Sequence, residues 1–118
     1  MAQLGPARVT TTSDPSMARV ARMVAMSVAG HSELGVDAVQ DVALATSEAF
    51  SVVALSGPEG IAVDVSASDN VVTVVVEATG VRKEGGFMID PLTARVLDAV
   101  TTDIRIDPGQ FVRFSVST

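Results

Sequence analysis

The sequence of 118 residues contains no cysteine, no tryptophan and no tyrosine, and it has few basic residues. The lack of cysteine excludes disulfides, thiol catalysis and cysteine-based metal sites, and it fits a reducing compartment. The eight Lys and Arg residues are scattered along the chain, and the net charge is −6. Because phosphate neutralisation needs a cluster of basic side chains, we do not expect a nucleic-acid-binding protein.

A membrane span and a targeting signal are also missing from the sequence. No apolar run approaches the roughly 18 residues that a membrane-crossing helix needs. The N-terminal stretch, residues 1–15, lacks the charged start and the apolar block of a signal peptide. We therefore expect a cytoplasmic protein without a membrane attachment.

Small aliphatic residues dominate what is present. Hydrophobic residues make up 47% of the chain and charged residues 19%, so the chain has enough apolar surface to fold alone. A length of 118 residues suits one core. We therefore predict a single domain over residues 1–118, with a core built mainly from Val and Ala.

Three segments show the apolar spacing of amphipathic helices. An Asp–Pro pair, which caps a helix and supplies its first residue, opens the first and the third, and Asp37 is the predicted cap of the second. The apolar faces of the first and third helices consist of Met17, Val20, Val24 and Val28, and of Leu92, Val96, Leu97 and Val100. The predicted helices cover residues 15–30, 37–55 and 90–100.

Five further segments are β-branched or alternate between apolar and polar residues, as strands do. They cover residues 7–13, 61–67, 71–78, 103–107 and 110–117. The order β-α-α-β-β-α-β-β suits a layer of helices on one face of a sheet. We therefore predict the α+β class: a two-layer α/β sandwich with a mixed, mostly antiparallel sheet and about three helices on one face.

The second predicted helix contains the most specific motif of the chain. Residues 41–52 read DVALATSEAFSV, which resembles the phrase D-x-x-L-A-x-S-E-A-x-x-N of the small anti-sigma-factor serine kinases in the Bergerat-fold (GHKL) ATPase superfamily. Arg19 and Arg22 in the first helix, an acidic residue at the end of the first hairpin, and a closing hairpin over residues 103–112 follow in the expected order. The resemblance covers most of the chain and implies a Bergerat-like domain.

The resemblance assigns roles to two positions of that helix. In the family, the glutamate orients or deprotonates the attacking group, and an asparagine one turn later gives an oxygen to Mg²⁺. Glu48 matches the glutamate, but Val52 stands at the asparagine position. Since a valine side chain has no lone pair for a hard cation, Glu48 is interpreted as a vestigial base position, and no metal is expected.

The nucleotide-binding elements of the family also differ here. The family has D-x-G-x-G after the second hairpin strand, whereas this chain has Glu77, then Thr79 and Val81 at the glycine positions, with Gly80 out of register. The glycine-rich lid is replaced by a short connection over residues 80–90. We therefore expect that ATP binding and kinase activity have been lost and that no cofactor is bound.

Protein binding then becomes the expected activity. Members of the family sequester a sigma factor, hold an anti-anti-sigma partner and form dimers, and the resemblance implies such a regulatory role in transcription or stress response. The expected partner-binding residues are on the polar face of the first helix: Ser16, Arg19, Arg22 and Met23. The edge strand over residues 9–12 offers unpaired backbone groups that a second copy can complete as a homodimer.

Two alternatives stay open at this point. In the first, the chain is an active ATP- and Mg²⁺-dependent serine kinase with a variant site, in which Glu48 is the base, Ser51 holds Mg²⁺, and Glu77 and Gly80 contact the nucleotide. Ser51 lies three residues from Glu48 and so on the same side of a helix. In the second, the resemblance is accidental and the chain is an unrelated α+β interaction domain.

Overall fold

The computed structural model of the protein describes residues 4–82 and 86–117. These residues form five strands, three α-helices and a short 3₁₀ turn before the first helix. The elements are β1 (Leu4–Thr12), the 3₁₀ turn (Pro15–Met17), α1 (Ala18–Gly30), α2 (Val36–Leu55), β2 (Pro58–Ser68), β3 (Val71–Arg82), α3 (Pro91–Val100), β4 (Asp103–Asp107) and β5 (Phe111–Ser117). The order is the predicted one, although β1 and β2 begin earlier and β3 ends later than the sequence pattern indicates.

The five strands form one sheet in the order β1-β2-β3-β5-β4, and every neighbouring pair is antiparallel. The chain leaves β3, passes through α3 to the far edge, and returns as a hairpin that places β5 beside β3. The predicted α+β class and two-layer sandwich are confirmed, but the described sheet is antiparallel throughout and not mixed. The edges of the sheet are β1 and β4.

One face of the sheet and the helices that cover it contain the core. Alternate residues of β3 are buried there, and Val76 lies in register with Val63 on β2 and Val112 on β5. The largest fully buried side chains are Phe50 of α2 and Phe114 of β5. Burial of one such valine stabilises the fold by about 1.5–3 kcal/mol, so these Val-rich rows hold the two layers together.

The seam between α1 and α2 is made of alanines. Ala21, Ala25 and Ala29 follow one another at four-residue spacing, and all three are completely buried. The predicted apolar valines of α1, Val20, Val24 and Val28, are only partly buried. Because a methyl side chain adds so little bulk, the two helices approach each other closely along this line.

Helix α3 begins as predicted, because the Asp90 side chain accepts a 2.8 Å hydrogen bond from the Thr93 N–H. Its predicted apolar face is corrected in one respect: Leu92 is 71% exposed, and Leu97 is the buried residue of the helix. The predicted Asp37 cap of α2 is also wrong. Gly35 holds the cap position, and Asp37 lies in the first turn without a capping hydrogen bond.

Helix α2 requires a correction to the expectation that no apolar segment approaches a membrane span. By length and composition alone, Val36–Leu55 is long and apolar enough to cross a membrane. Half of its most apolar window is buried inside the protein, where the helix lies between α1 and α3 and against the sheet. This position accounts for its apolar composition as that of the central core helix of a compact domain.

Candidate functional site

The predicted catalytic position lies in the middle of α2. Glu48 is half-buried, Ser51 is exposed, and Val52 is only 3% exposed and belongs to the core. The position at which the resemblance expects a magnesium ligand is therefore filled by a hydrocarbon side chain among other apolar groups. Any cation there would have to replace its water ligands with groups that cannot coordinate it.

Glu48 itself has no protein partner in the part of the chain that the structure describes. Within residues 4–82 and 86–117 its carboxylate makes neither a hydrogen bond nor an ion pair. The carboxylate therefore does not cap or bond a backbone group there, and its half-buried position leaves it in contact with water. This is the environment of a surface glutamate at the margin of a core.

Glu77 lies on the other side of the sheet from Glu48. Its neighbours along β3, Val76 and Ala78, pack into the core, so the alternation of the strand places Glu77 on the opposite face. Across the strands it is in register with Ala62 and Phe111. The structure thus does not bring the two predicted carboxylates together, because the sheet lies between them.

Gly80 has a structural task at the end of β3. It has a positive φ of 73°, and the register between β2 and β3 shifts at this point. A Cβ atom at Gly80 would collide with the side chain of Glu59, whose carboxylate accepts a 3.4 Å hydrogen bond from the Val81 N–H. Both the backbone conformation and the close approach explain a glycine here without a nucleotide.

The connection after β3 is partly outside the described residues, since positions 83–85 of the predicted short lid fall there. Where the description resumes, Phe87 packs against the core, and its N–H donates a 2.7 Å hydrogen bond to the Pro108 carbonyl. Val81 is exposed. The resumed segment is therefore tied to the turn between β4 and β5.

The predicted partner-binding residues lie together on α1 and the turn before it. Arg19 and Met23 are exposed, and Ser16 is exposed and donates to the Asp14 carboxylate through its N–H and its hydroxyl. Arg22 is partly buried and donates a 3.0 Å hydrogen bond to the Ser47 hydroxyl on α2. We call Ser16, Arg19, Arg22 and Met23 the α1 surface.

The α1 surface continues onto α2 through residues that the sequence analysis missed. Met26 and Leu44 are 38% and 44% exposed. Each lies about one turn from the contact between Arg22 and Ser47, so the two apolar side chains flank the seam between the helices. The signal for Met26 was its position outside the apolar face predicted for the first helix, and Leu44 had no comparable signal.

A second feature lies between α3 and the edge strand β4. It is an open groove of about 440 Å³. Its walls are Ile89, Ala94, Arg95, Leu97, Asp98, Ile104 and Ile106. We call it the α3–β4 groove, and none of the predicted site residues lines it.

The described residues offer no cluster of three or more His, Asp or Glu side chains that could hold a metal ion. A comparison with protein-family models finds no match, and a comparison with curated proteins also finds none. The class defined by the fold is therefore a two-layer α+β domain with an antiparallel sheet. Its surface carries an exposed helix face, an apolar groove and an isolated glutamate.

Proposed function

We propose that the protein is a cytoplasmic regulatory module of the anti-sigma type, which acts on transcription or stress response by binding a protein and without catalysis. The observation that carries this proposal is the burial of Val52, which is 3% exposed at the position where an active kinase needs a magnesium ligand. Without that cation, nothing at this position offsets the charge of a triphosphate.

Three further observations support a binding role over a nucleotide site. Glu48 and Glu77 lie on opposite sides of the sheet, so one ligand in one cavity cannot contact both. Gly80 is required by the bulge at the end of β3. The net charge of −6 also disfavours the approach of a polyphosphate anion.

The α1 surface is the part of the molecule that suits a protein partner. It combines exposed Arg19 with Met23, which is 61% exposed, and Arg and Met are enriched in protein interfaces. Arg19 projects from a chain that is acidic overall, so it favours an acidic patch on the partner. A sigma factor or an anti-anti-sigma factor is the proposed partner.

The experiment that tests the loss of catalysis is a calorimetric titration of the protein with ATP, with and without Mg²⁺. We expect no binding heat in either case. Metal-dependent binding in the micromolar range would contradict the proposal and favour the alternative of a kinase that uses Glu48 and Ser51.

Partner binding is tested with matched surface variants. Pull-down with sigma and anti-anti-sigma proteins should recover a partner with the wild type, lose it with Met23→Asp, and retain it with Leu92→Asp. Met23 and Leu92 are both exposed apolar helix residues, so the control introduces the same change on α3. Equal loss with both variants, or no partner for the wild type, would contradict the proposed surface.

A further inference from the structure

The edge strand β4 has a charge pattern that matters for what can bind beside it. Its five residues read Asp-Ile-Arg-Ile-Asp. Ile104 and Ile106 line the α3–β4 groove on the helix side, so Asp103, Arg105 and Asp107 point to the other face of the sheet. The outer side of β4 has no partner strand in the described sheet.

The beginning of the other edge strand, β1, is protected in a way that β4 is not, although its pairing with β2 is regular from Ala7 to Thr12. Strand β1 contains Pro6, and its register with β2 shifts between Leu4 and Ala7. Prolines and irregular register are the usual devices that prevent edge-to-edge pairing of sheets. Strand β4 has no proline, and its pairing with β5 is regular over all five residues.

The charges of β4 are complementary to those of a second β4 in antiparallel orientation. If a two-fold axis passes beside Ile104, Arg105 of each copy lies opposite Asp103 of the other. If the axis passes beside Ile106, Arg105 lies opposite Asp107. Opposite charges directly across two strands stabilise their pairing, so the sequence of this strand fits a second copy of itself in two registers.

The neighbouring helix repeats this complementarity. Arg95 and Asp98 are exposed on α3 and line the groove next to β4. They are three residues apart, so they lie on the same side of the helix. A second α3 related by the same two-fold axis would present Asp98 to Arg95 and Arg95 to Asp98.

The apolar part of the groove provides the surface that such pairing would remove from water. Its apolar lining consists of Leu97, the two isoleucines of β4, Ile89 and Ala94. In an isologous interface the same patch is used by both copies. The strand edge, the charged helix rim and the apolar groove all lie at one end of the sandwich, as such an interface requires.

We propose that β4 and the α3–β4 groove form a symmetric interface with a second copy of this chain, in which the two sheets join through their β4 strands. Two five-stranded sheets would then form one continuous sheet. The interface lies at the opposite edge of the sheet from the α1 surface, so this inference goes beyond the proposed function and does not depend on it.

The test is the molar mass in solution over a range of protein concentrations, measured by light scattering and by sedimentation equilibrium. The wild type should approach twice the monomer mass of 12.1 kDa. The substitution Arg105→Asp replaces two attractive cross-strand pairs with two repulsive ones, and it should weaken dimerisation roughly tenfold or more.

A charge-swap variant separates this interface from a general loss of folding. Asp103→Arg, Arg105→Asp and Asp107→Arg together restore complementarity between identical copies, so the triple variant should dimerise again. In that variant the new carboxylate at position 105 faces Arg113 of β5 within the chain, which offsets the loss of the ion pair between Asp103 and Arg113. Circular dichroism should show the same fold in all three proteins.

Three results would overturn the proposal. The first is a wild type that stays monomeric at every concentration, because the edge is then free or available to a different occupant. Alternatively, Arg105→Asp would be as dimeric as the wild type, which would place the contact elsewhere, for example at β1. Finally, the charge-swap variant would fold but stay monomeric, which would show that charge order does not control the pairing.

Discussion

The two ends of the sandwich are packed in different ways, although both consist of a helix above an edge strand. At the α1 end, three fully buried alanines bring α1 close to α2, and Arg22 ties the two helices together. At the α3 end, one side chain, Leu97, is buried, and an open groove of about 440 Å³ remains beside it. Local opening is easiest where few apolar contacts hold an element, so we expect α3 to be the less stable end.

Among the tests of this difference between the two ends, the largest effect on stability is expected from Leu97→Ala. The change removes the buried side chain that anchors α3, and it should lower the free energy of unfolding by about 2–5 kcal/mol. Leu92→Ala is the matched control, because Leu92 is exposed on the same helix. This substitution should change the free energy of unfolding by no more than about 0.5 kcal/mol. Urea unfolding followed by circular dichroism measures the stability of both variants. Equal losses of stability would contradict the expected difference between the two ends.

An intermediate effect is expected when the same substitution is made at both ends. Ala25→Leu forces a larger side chain into the fully buried seam and should destabilise the protein by about 1–3 kcal/mol. Ala94→Leu faces the open groove and should be close to neutral, since Ala and Leu have similar helix propensities. Thermal unfolding of the two variants checks this, and a similar loss at both sites would show that the groove is not available space.

The smallest effects are expected at the helix caps and should depend on pH. The Ser16 N–H lowers the pKa of Asp14, and the Thr93 N–H lowers the pKa of Asp90. Because each folded-state pKa lies below the unfolded value of about 3.9, the caps contribute stability above that pH and lose it as the pH falls through the folded-state pKa. Asp90→Ala should lower Tm more than Asp14→Ala, since Asp90 caps an α-helix of 10 residues, whereas Asp14 caps a 3₁₀ turn of 3 residues.

The control for the caps is Asp90→Asn, which retains a capping oxygen but does not titrate. At neutral pH its Tm should be close to that of the wild type, whereas Asp90→Ala should be lower. As the pH falls below about 4, the wild type should approach Asp90→Ala. A gap between wild type and Asp90→Ala that stays constant with pH would contradict the role of the carboxylate.

The local signals in the sequence predicted most of the fold. The Asp–Pro pair at residues 90–91 marks the start of α3, because capping and proline geometry are decided within one turn. The pair at residues 14–15 caps the 3₁₀ turn instead, and α1 itself begins at Ala18 without a side-chain cap. The order and class of the elements follow from the change between helical and strand spacing. The strand order was not predictable, since it depends on how β4 and β5 return to the sheet after α3.

The buried line of α1 shows why hydrophobicity alone misplaces a core. The pattern favoured Val20, Val24 and Val28, but the fully buried line is Ala21, Ala25 and Ala29, one residue further on. The row of α1 side chains that faces α2 depends on the distance between the two helices. That distance is determined by the residues of both helices together. Small side chains therefore occupy the centre of the contact and larger ones its margin.

The candidate site was predictable only in part. The chemistry of Val52 alone predicts that it cannot bind a metal, whereas its place in the core is known only from the structure. The face of the sheet on which Glu77 lies could not be predicted from the sequence, because valines occupy both faces of β3 around it, as at Val75 and Val76. The α3–β4 groove has no local signature, since residues far apart in sequence form its walls.

The buried alanines of α1 also influence which second mutations can restore a lost interaction. The distance between α1 and α2 is set by three methyl groups that are completely buried and so out of reach of a bound protein. A slightly larger side chain at any of them would displace every exposed residue of the helix together. Genetic suppressors that restore a lost interaction are therefore expected beneath the recognition surface as well as on it.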